Sequence, residues 1–154
     1  QARELARMFV RGLAADLRLM AWYKVFDGGP GTETAGLFRD RDLNDPKPAY
    51  FAYRAVTREL TGARYEGLFQ ASGVEGYVFR MPDGTKKTVL WAVGADTTVD
   101  FPASCLRLVD REGNVFDPVQ DGDPNWDGDG QRNGVIRLGI YTDQVFYVSP
   151  KPCP

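Results

Sequence analysis

Apolar positions recur at helical spacing from the first residues. Leu5, Met8, Phe9 and Leu13 share one face, while Arg3, Glu4, Arg7 and Arg11 fall mostly on the other. This pattern predicts an amphipathic helix over residues 1–16. Residues 17–29 are a short apolar run that ends in aromatic and charged residues and breaks on Gly28-Gly29. Such a run, bounded by turn residues, predicts a strand buried on both faces, as in a parallel sheet. Residues 30–47 are polar and rich in Gly, Asp and Pro around the trio Gly36-Leu37-Phe38, which predicts a long loop. Pro48 suits the first turn of a helix, where its missing N–H costs nothing. Tyr50, Phe51, Ala52, Ala55, Val56 and Leu60 form the apolar stripe of that helix, and Gly62 stands where a C-terminal cap is expected.

Beyond residue 64 the period falls to two. Short β-branched and aromatic runs at 65–70, 74–81, 87–93, 97–101, 106–110, 115–119, 135–140 and 145–148 are punctuated by turns. Pro82-Asp83-Gly84-Thr85 and Arg111-Glu112-Gly113-Asn114 are hairpin signals, because Gly and Asn tolerate positive φ. Strands at this spacing predict an antiparallel sandwich. The boundary between the two patterns falls near Gly62, giving segments 1–62 and 63–154. Helix, buried strand, loop and helix are the grammar of an α/β barrel or doubly wound sheet. One such strand cannot make a sheet, so the first segment is expected to be a piece of something larger. The start at Gln1, within a helical pattern and without a leader-like segment, fits the same expectation.

Composition narrows the chemistry. Nineteen basic and 21 acidic residues are interspersed, so there is no basic face of the kind nucleic acid requires. The apolar runs are too short for a membrane span. The chain has no histidine, which removes His-based triads, His metal ligands and imidazole acid–base chemistry together. Cys105 and Cys153 are the only cysteines. Spacing alone leaves both a disulfide and two free thiols open; a bridge would imply an oxidising compartment.

Several motifs together resemble a known family. Met20-Ala21-Trp22-Tyr23 followed by Asp27, then Gly36-Leu37-Phe38-Arg39-Asp40 and Lys47-Pro48-Ala49-Tyr50, are similar to the last barrel units of retaining TIM-barrel glycoside hydrolases. Gly76-Tyr77-Val78-Phe79, Val89-Leu90-Trp91, Leu138-Gly139 and Phe146-Tyr147-Val148 resemble the β-sandwich that follows the barrel there. The resemblance implies an α+β fold, with the terminal helix–strand–helix of a (β/α)8 barrel at 1–62 and an antiparallel β-sandwich at 63–154. It also implies an extracellular or cell-surface protein that acts on carbohydrate. The barrel would be completed by the rest of the same polypeptide or by another chain. Retaining glycosidases need two carboxylates about 5–5.5 Å apart. On this resemblance both lie upstream, so the chain holds no catalytic residue and is inactive alone. Trp22 matches the aromatic residue placed under the sugar at the end of the last strand, where a flat indole packs on a pyranose and its N–H faces a hydroxyl. Tyr23, Lys24 and Asp27 are the accompanying candidates. For Trp22 a core role, and for Lys24 and Asp27 a salt bridge, are the competing readings.

Two further clusters call for chemistry of their own. Asp123, Asn125, Asp127 and Asp129 alternate with Gly nearby, like the start of a calcium loop, although the later bidentate Glu is missing. A solvated acidic loop is the other reading. Asp16, Glu33, Asp40, Asp42 and Asp45 lie in polar stretches, and no spacing pairs two of them for catalysis. The rival to a glycosidase part is a non-catalytic carbohydrate-binding or cell-surface module, or a barrel relative without its carboxylates. Exposure of Trp91 and Trp126 on a sandwich face would favour the binding module, and Trp22 facing a cleft the enzyme.

Overall fold

The computed structural model describes residues 1–28, 34–39 and 41–154. Glu33 and Asp40 therefore lie outside the described residues. Helices α1 (Ala2–Ala14) and α2 (Pro48–Leu60) are followed by strands β1 (Arg64–Leu68), β2 (Val74–Arg80), β3 (Lys86–Ala92), β4 (Thr97–Phe101), β5 (Cys105–Val109), β6 (Val115–Gln120), β7 (Ile136–Ile140) and β8 (Phe146–Pro150). The strands form a six-stranded sheet of order β1-β2-β3-β8-β5-β6 and a two-stranded sheet β4-β7. Every pair is antiparallel. Aspartates close the two predicted hairpins: Asp83 makes an Asx turn by accepting the Thr85 N–H (2.9 Å), and Asp110 spans its turn by accepting the Asn114 N–H (2.9 Å).

The period of two sorts the strand side chains between two cores. Val89 and Trp91 of β3, Val109 of β5 and Tyr147 of β8 point to the helices, with Phe79 of β2. Leu90, Leu106, Leu108, Phe146 and Val148 point the other way, onto Val99, Phe101, Ile136, Leu138 and Ile140 of the small sheet. The large sheet is thus covered on both faces, by α1 and α2 on one and by β4-β7 on the other. Small residues at Ala6, Ala49, Ala52 and Ala55 let the helices lie close, and Phe9 meets Tyr53 edge-on at 5.4 Å.

A buried charge cluster sits inside the helix–sheet core. Glu59 of α2 is buried and takes hydrogen bonds from Lys87 Nζ (2.7 Å) on β3 and from Arg107 on β5 (2.8 and 3.1 Å). Lys87 also donates to the Glu59 carbonyl (2.9 Å), capping the end of α2. Burial raises the Glu59 pKa, but Arg107 and Lys87 outweigh it and hold the carboxyl at about 2, against 4.5 ordinarily. A disulfide joins Cys105 at the start of β5 to Cys153, across a sequence separation of 48. Closing a loop of that length stabilises the fold by about 4 kcal/mol in the chain-entropy model.

Residues 17–28, expected as a strand, form no ladder. Their one bridge is a parallel pairing of Phe26 with Phe38. A strand is stable only through its neighbours, and among the described residues none flanks this segment. The Gly62 expectation is also refined: α2 is capped by Thr61, whose N–H returns to the Thr57 carbonyl at 3.0 Å, and Gly62 follows with φ +75°.

The Glu59 cluster makes a prediction. Glu59→Gln leaves Lys87 and Arg107 without a counter-charge in the core and is expected to cost about 3–5 kcal/mol, lowering Tm by about 6–20 °C. Because the folded-state pKa is depressed, the native chain's contribution is full above pH 4.5 and fades as pH falls towards 2. Thermal melts across that range should show the variant losing this acid sensitivity; parallel curves would contradict the assignment.

Candidate functional site

Asp16 ends α1 with φ +56°, and residues 17–28 then cross beside the helix pair towards the 34–38 loop. The Val25 carbonyl accepts from Leu37 (2.8 Å) and Phe38 (3.0 Å), and the Asp27 N–H donates to the Phe38 carbonyl (3.0 Å). Gly36 makes this approach feasible. A Cβ there would stand 2.3 Å from the Asp27 backbone nitrogen, so any side chain forces the two segments apart.

Trp22 and Asp27 are both tied into this junction. The Trp22 indole N–H donates to the Ala35 carbonyl (2.9 Å), and Gln1 Nε2 reaches the same oxygen at 2.7 Å. The indole is half-buried against the helix-side core. Its N–H, expected to face a sugar hydroxyl, is engaged within the chain instead. Asp27 accepts from the Gly36 N–H (2.8 Å) and from Lys47 Nζ (2.9 and 3.1 Å). Lys47 also donates to the Thr34 carbonyl at 2.5 Å. The ammonium of Lys47 and then the Gly36 N–H hold the Asp27 carboxyl below the ordinary value, and the charge of Lys24 adds to this. The salt bridge foreseen for Asp27 thus exists, but its partner is Lys47. Lys24 is half-buried, and Tyr23 is 80% exposed.

Met20, Trp22 and Phe26 of this segment pack on the helix-side core, whereas other apolar side chains face outward. Leu17 and Val25 are about half exposed, and Leu19 is 87% exposed. Beside them an apolar groove of about 350 Å³ opens between the ends of α1 and α2, lined by Phe9, Leu13, Met20, Val56 and Leu60. The backbone amides of residues 18–23 donate to no acceptor among the described residues. A buried-strand sequence with bare edges and bare side chains is the feature to be explained.

The fold has counterparts among solved structures. A family 39 glycoside hydrolase from the gut symbiont Bacteroides cellulosilyticus WH2 superposes on 97% of this chain with a TM-score of 0.70 and 23% identity. The catalytic domain of the family 30 xylanase C from Talaromyces cellulolyticus covers 99% with a TM-score of 0.66 and 15% identity. The chain has the fold of one part of these glycoside hydrolases. It spans only 30% and 35% of their respective lengths. No family model matches the chain, and no curated protein sequence matches it.

The acidic loop between β6 and β7 is organised by its own backbone. Buried Asp127 accepts N–H groups from Gly122 (2.8 Å) and Arg137 (3.0 Å). Asp123 accepts from Asn125 (2.8 Å), and Asp129 from Gln131 (2.9 Å) and the Asn133 amide (3.2 Å). Among the described residues no group of three or more carboxylates or cysteines is arranged to hold a metal ion.

A glycosidase acid needs a raised pKa. Among the described residues, the carboxylates displaced from their ordinary acidity, including Asp27, Glu59, Glu75 and Asp127, are displaced downward by cations, hydroxyls or backbone N–H groups. Asp42 accepts the Asn44 N–H (2.8 Å), and Asp45 pairs with Arg39 (2.5 Å), so both serve the loop. Sequence reading missed Lys47 as the clamp, although it stands in the Lys-Pro-Ala-Tyr motif. Exposure of Trp91 was the feature that would have favoured a binding module. Trp91 is 1% exposed, with Arg7 and Arg11 over its ring at 5.2 and 5.3 Å, and so belongs to the core.

Asp27→Asn is expected to release Lys47 and loosen residues 34–38. The Trp22 indole proton should then exchange with solvent faster by about tenfold, read from its NMR resonance. Unchanged exchange would show that the ion pair does not hold the junction.

Proposed function

We propose that residues 1–62 are the closing helix–strand–helix of a (β/α)8 glycosidase barrel and that residues 63–154 brace it as an accessory sandwich. The assembled protein hydrolyses or transfers β-linked sugars by carboxylate chemistry, with both carboxylates outside these 154 residues. Trp22 supplies a carbon surface for the sugar, Tyr23 and Lys24 supply hydroxyl partners, and Asp27 fixes the turn behind them through Lys47. The observation that carries this reading is the likeness over 97% of the chain to a family 39 glycoside hydrolase, of which the chain spans 30%. The outward Leu17, Leu19 and Val25 support it, since apolar side chains and unpaired amides on a strand-like segment are what neighbouring barrel staves would cover. No helix among the described residues is long and apolar enough to cross a membrane. The Cys105–Cys153 bridge favours an oxidising, extracellular setting.

Hydrolysis of aryl β-glycosides tests the proposal. The longer polypeptide that contains this sequence should turn them over, and the 154-residue chain should not. Trp22→Ala in the longer polypeptide should lower kcat/KM by about 10- to 100-fold, the loss of an aromatic side chain's buried surface. Turnover by the chain alone, or none by the longer polypeptide on a panel of β-glycosides, would overturn it.

A further inference from the structure

A groove of about 730 Å³ lies beside the small sheet, between the acidic loop and the turn after β7. Its volume falls within the range of ligand sites. Aromatic pairs stand on either side. Phe116 and Trp126 are 4.3 Å apart by ring centroid on one, and Tyr141 and Phe146 are 6.2 Å apart on the other. Trp126 is half-buried, and Tyr141 is 46% exposed.

The polar lining has spare hydrogen-bonding capacity. The Asn125 amide, the Asp143 carboxylate and the Tyr141 hydroxyl make no hydrogen bond among the described residues. Gln144 Oε1 is buried in the groove wall and accepts none. No lysine or arginine lines the groove. The lining therefore disfavours phosphates, nucleic acid and acidic peptides, which are held by cations. Flat rings that stack on C–H faces, with neutral and acidic acceptors between them, match a ligand that is apolar on its faces and rich in hydroxyls at its edge.

We infer that this groove is a binding site for a neutral oligosaccharide, with Trp126 and Tyr141 as stacking platforms and Asn125, Asp143 and Gln144 as partners for hydroxyl groups. The ligand class follows from the lining and is independent of the glycosidase reading. The acidic loop gains a role from this: Asp127, by gathering the N–H groups of Gly122 and Arg137, holds Asn125 and Trp126 at the groove rim.

Titration of the 154-residue chain with linear xylo-, cello- and malto-oligosaccharides, followed by NMR of the indole and amide resonances, tests the site. At least one series should bind saturably and shift the Trp126 indole resonance. Trp126→Ala and Tyr141→Ala should each weaken binding at least tenfold. Trp126 also packs on Phe116, so Asn125→Ala, at an exposed position, provides a second variant and should weaken binding with no change in Tm. No binding by any series would overturn the inference. So would binding that persists in all three variants. Binding abolished by Trp22→Ala alone would overturn it while leaving the barrel reading intact, because the sugar would then sit at the other site.

Discussion

A sheet with apolar side chains on both faces must be covered twice, and this requirement organises the molecule. β3, β5 and β8 send alternate residues into two cores, so the helices are as necessary to the large sheet as β4-β7 are. Glu59 makes that cover specific. A carboxylate buried among apolar residues is unfavourable unless cations meet it, and Lys87 and Arg107 meet it from two different strands. The register of α2 on the sheet is thereby fixed, and with it the position of Lys47 just ahead of the helix.

From that anchor the consequences run outward to the site. Lys47 clamps Asp27 and Thr34; Gly36 lets the loop lie against Asp27; the loop carbonyl at Ala35 then orients Trp22. The junction is rigid on its inner side and bare on its outer side, where Leu19 and Tyr23 project. A segment ordered from one side and open on the other suits a barrel stave whose neighbours are supplied by more polypeptide. The sandwich face has a different character, with a groove whose aromatic walls and unpartnered amides need no further polypeptide to complete them.

Local pattern was enough to find both helices and all eight strands, with ends displaced by a residue or two. The signals involved are short in range: the Pro48 start, the 3.6-residue stripes, the alternation in β3 and the Gly-containing turns at 82–85 and 111–114. Strand order was not legible, because nothing local tells β8 to enter between β3 and β5. The 17–28 segment reads as a buried strand from its composition, but a strand needs partners, and among the described residues its only bridge is Phe26 with Phe38. The buried Glu59 and the Lys47 clamp escaped for a related reason: a charged residue looks solvated until a cation from a distant strand or loop is placed on it. Trp91 and Trp126 looked equivalent in sequence. The parity of β3 sends Trp91 under α1, while the loop after β6 leaves Trp126 at a rim.

Hydrogen–deuterium exchange over residues 18–23 measures the central claim directly, on the 154-residue chain and on a longer polypeptide that contains it. The account expects fast exchange in the first and strong protection in the second, as barrel neighbours take up the free backbone groups. Slow exchange in the short chain, or fast exchange in both, would show that this segment is not a barrel stave.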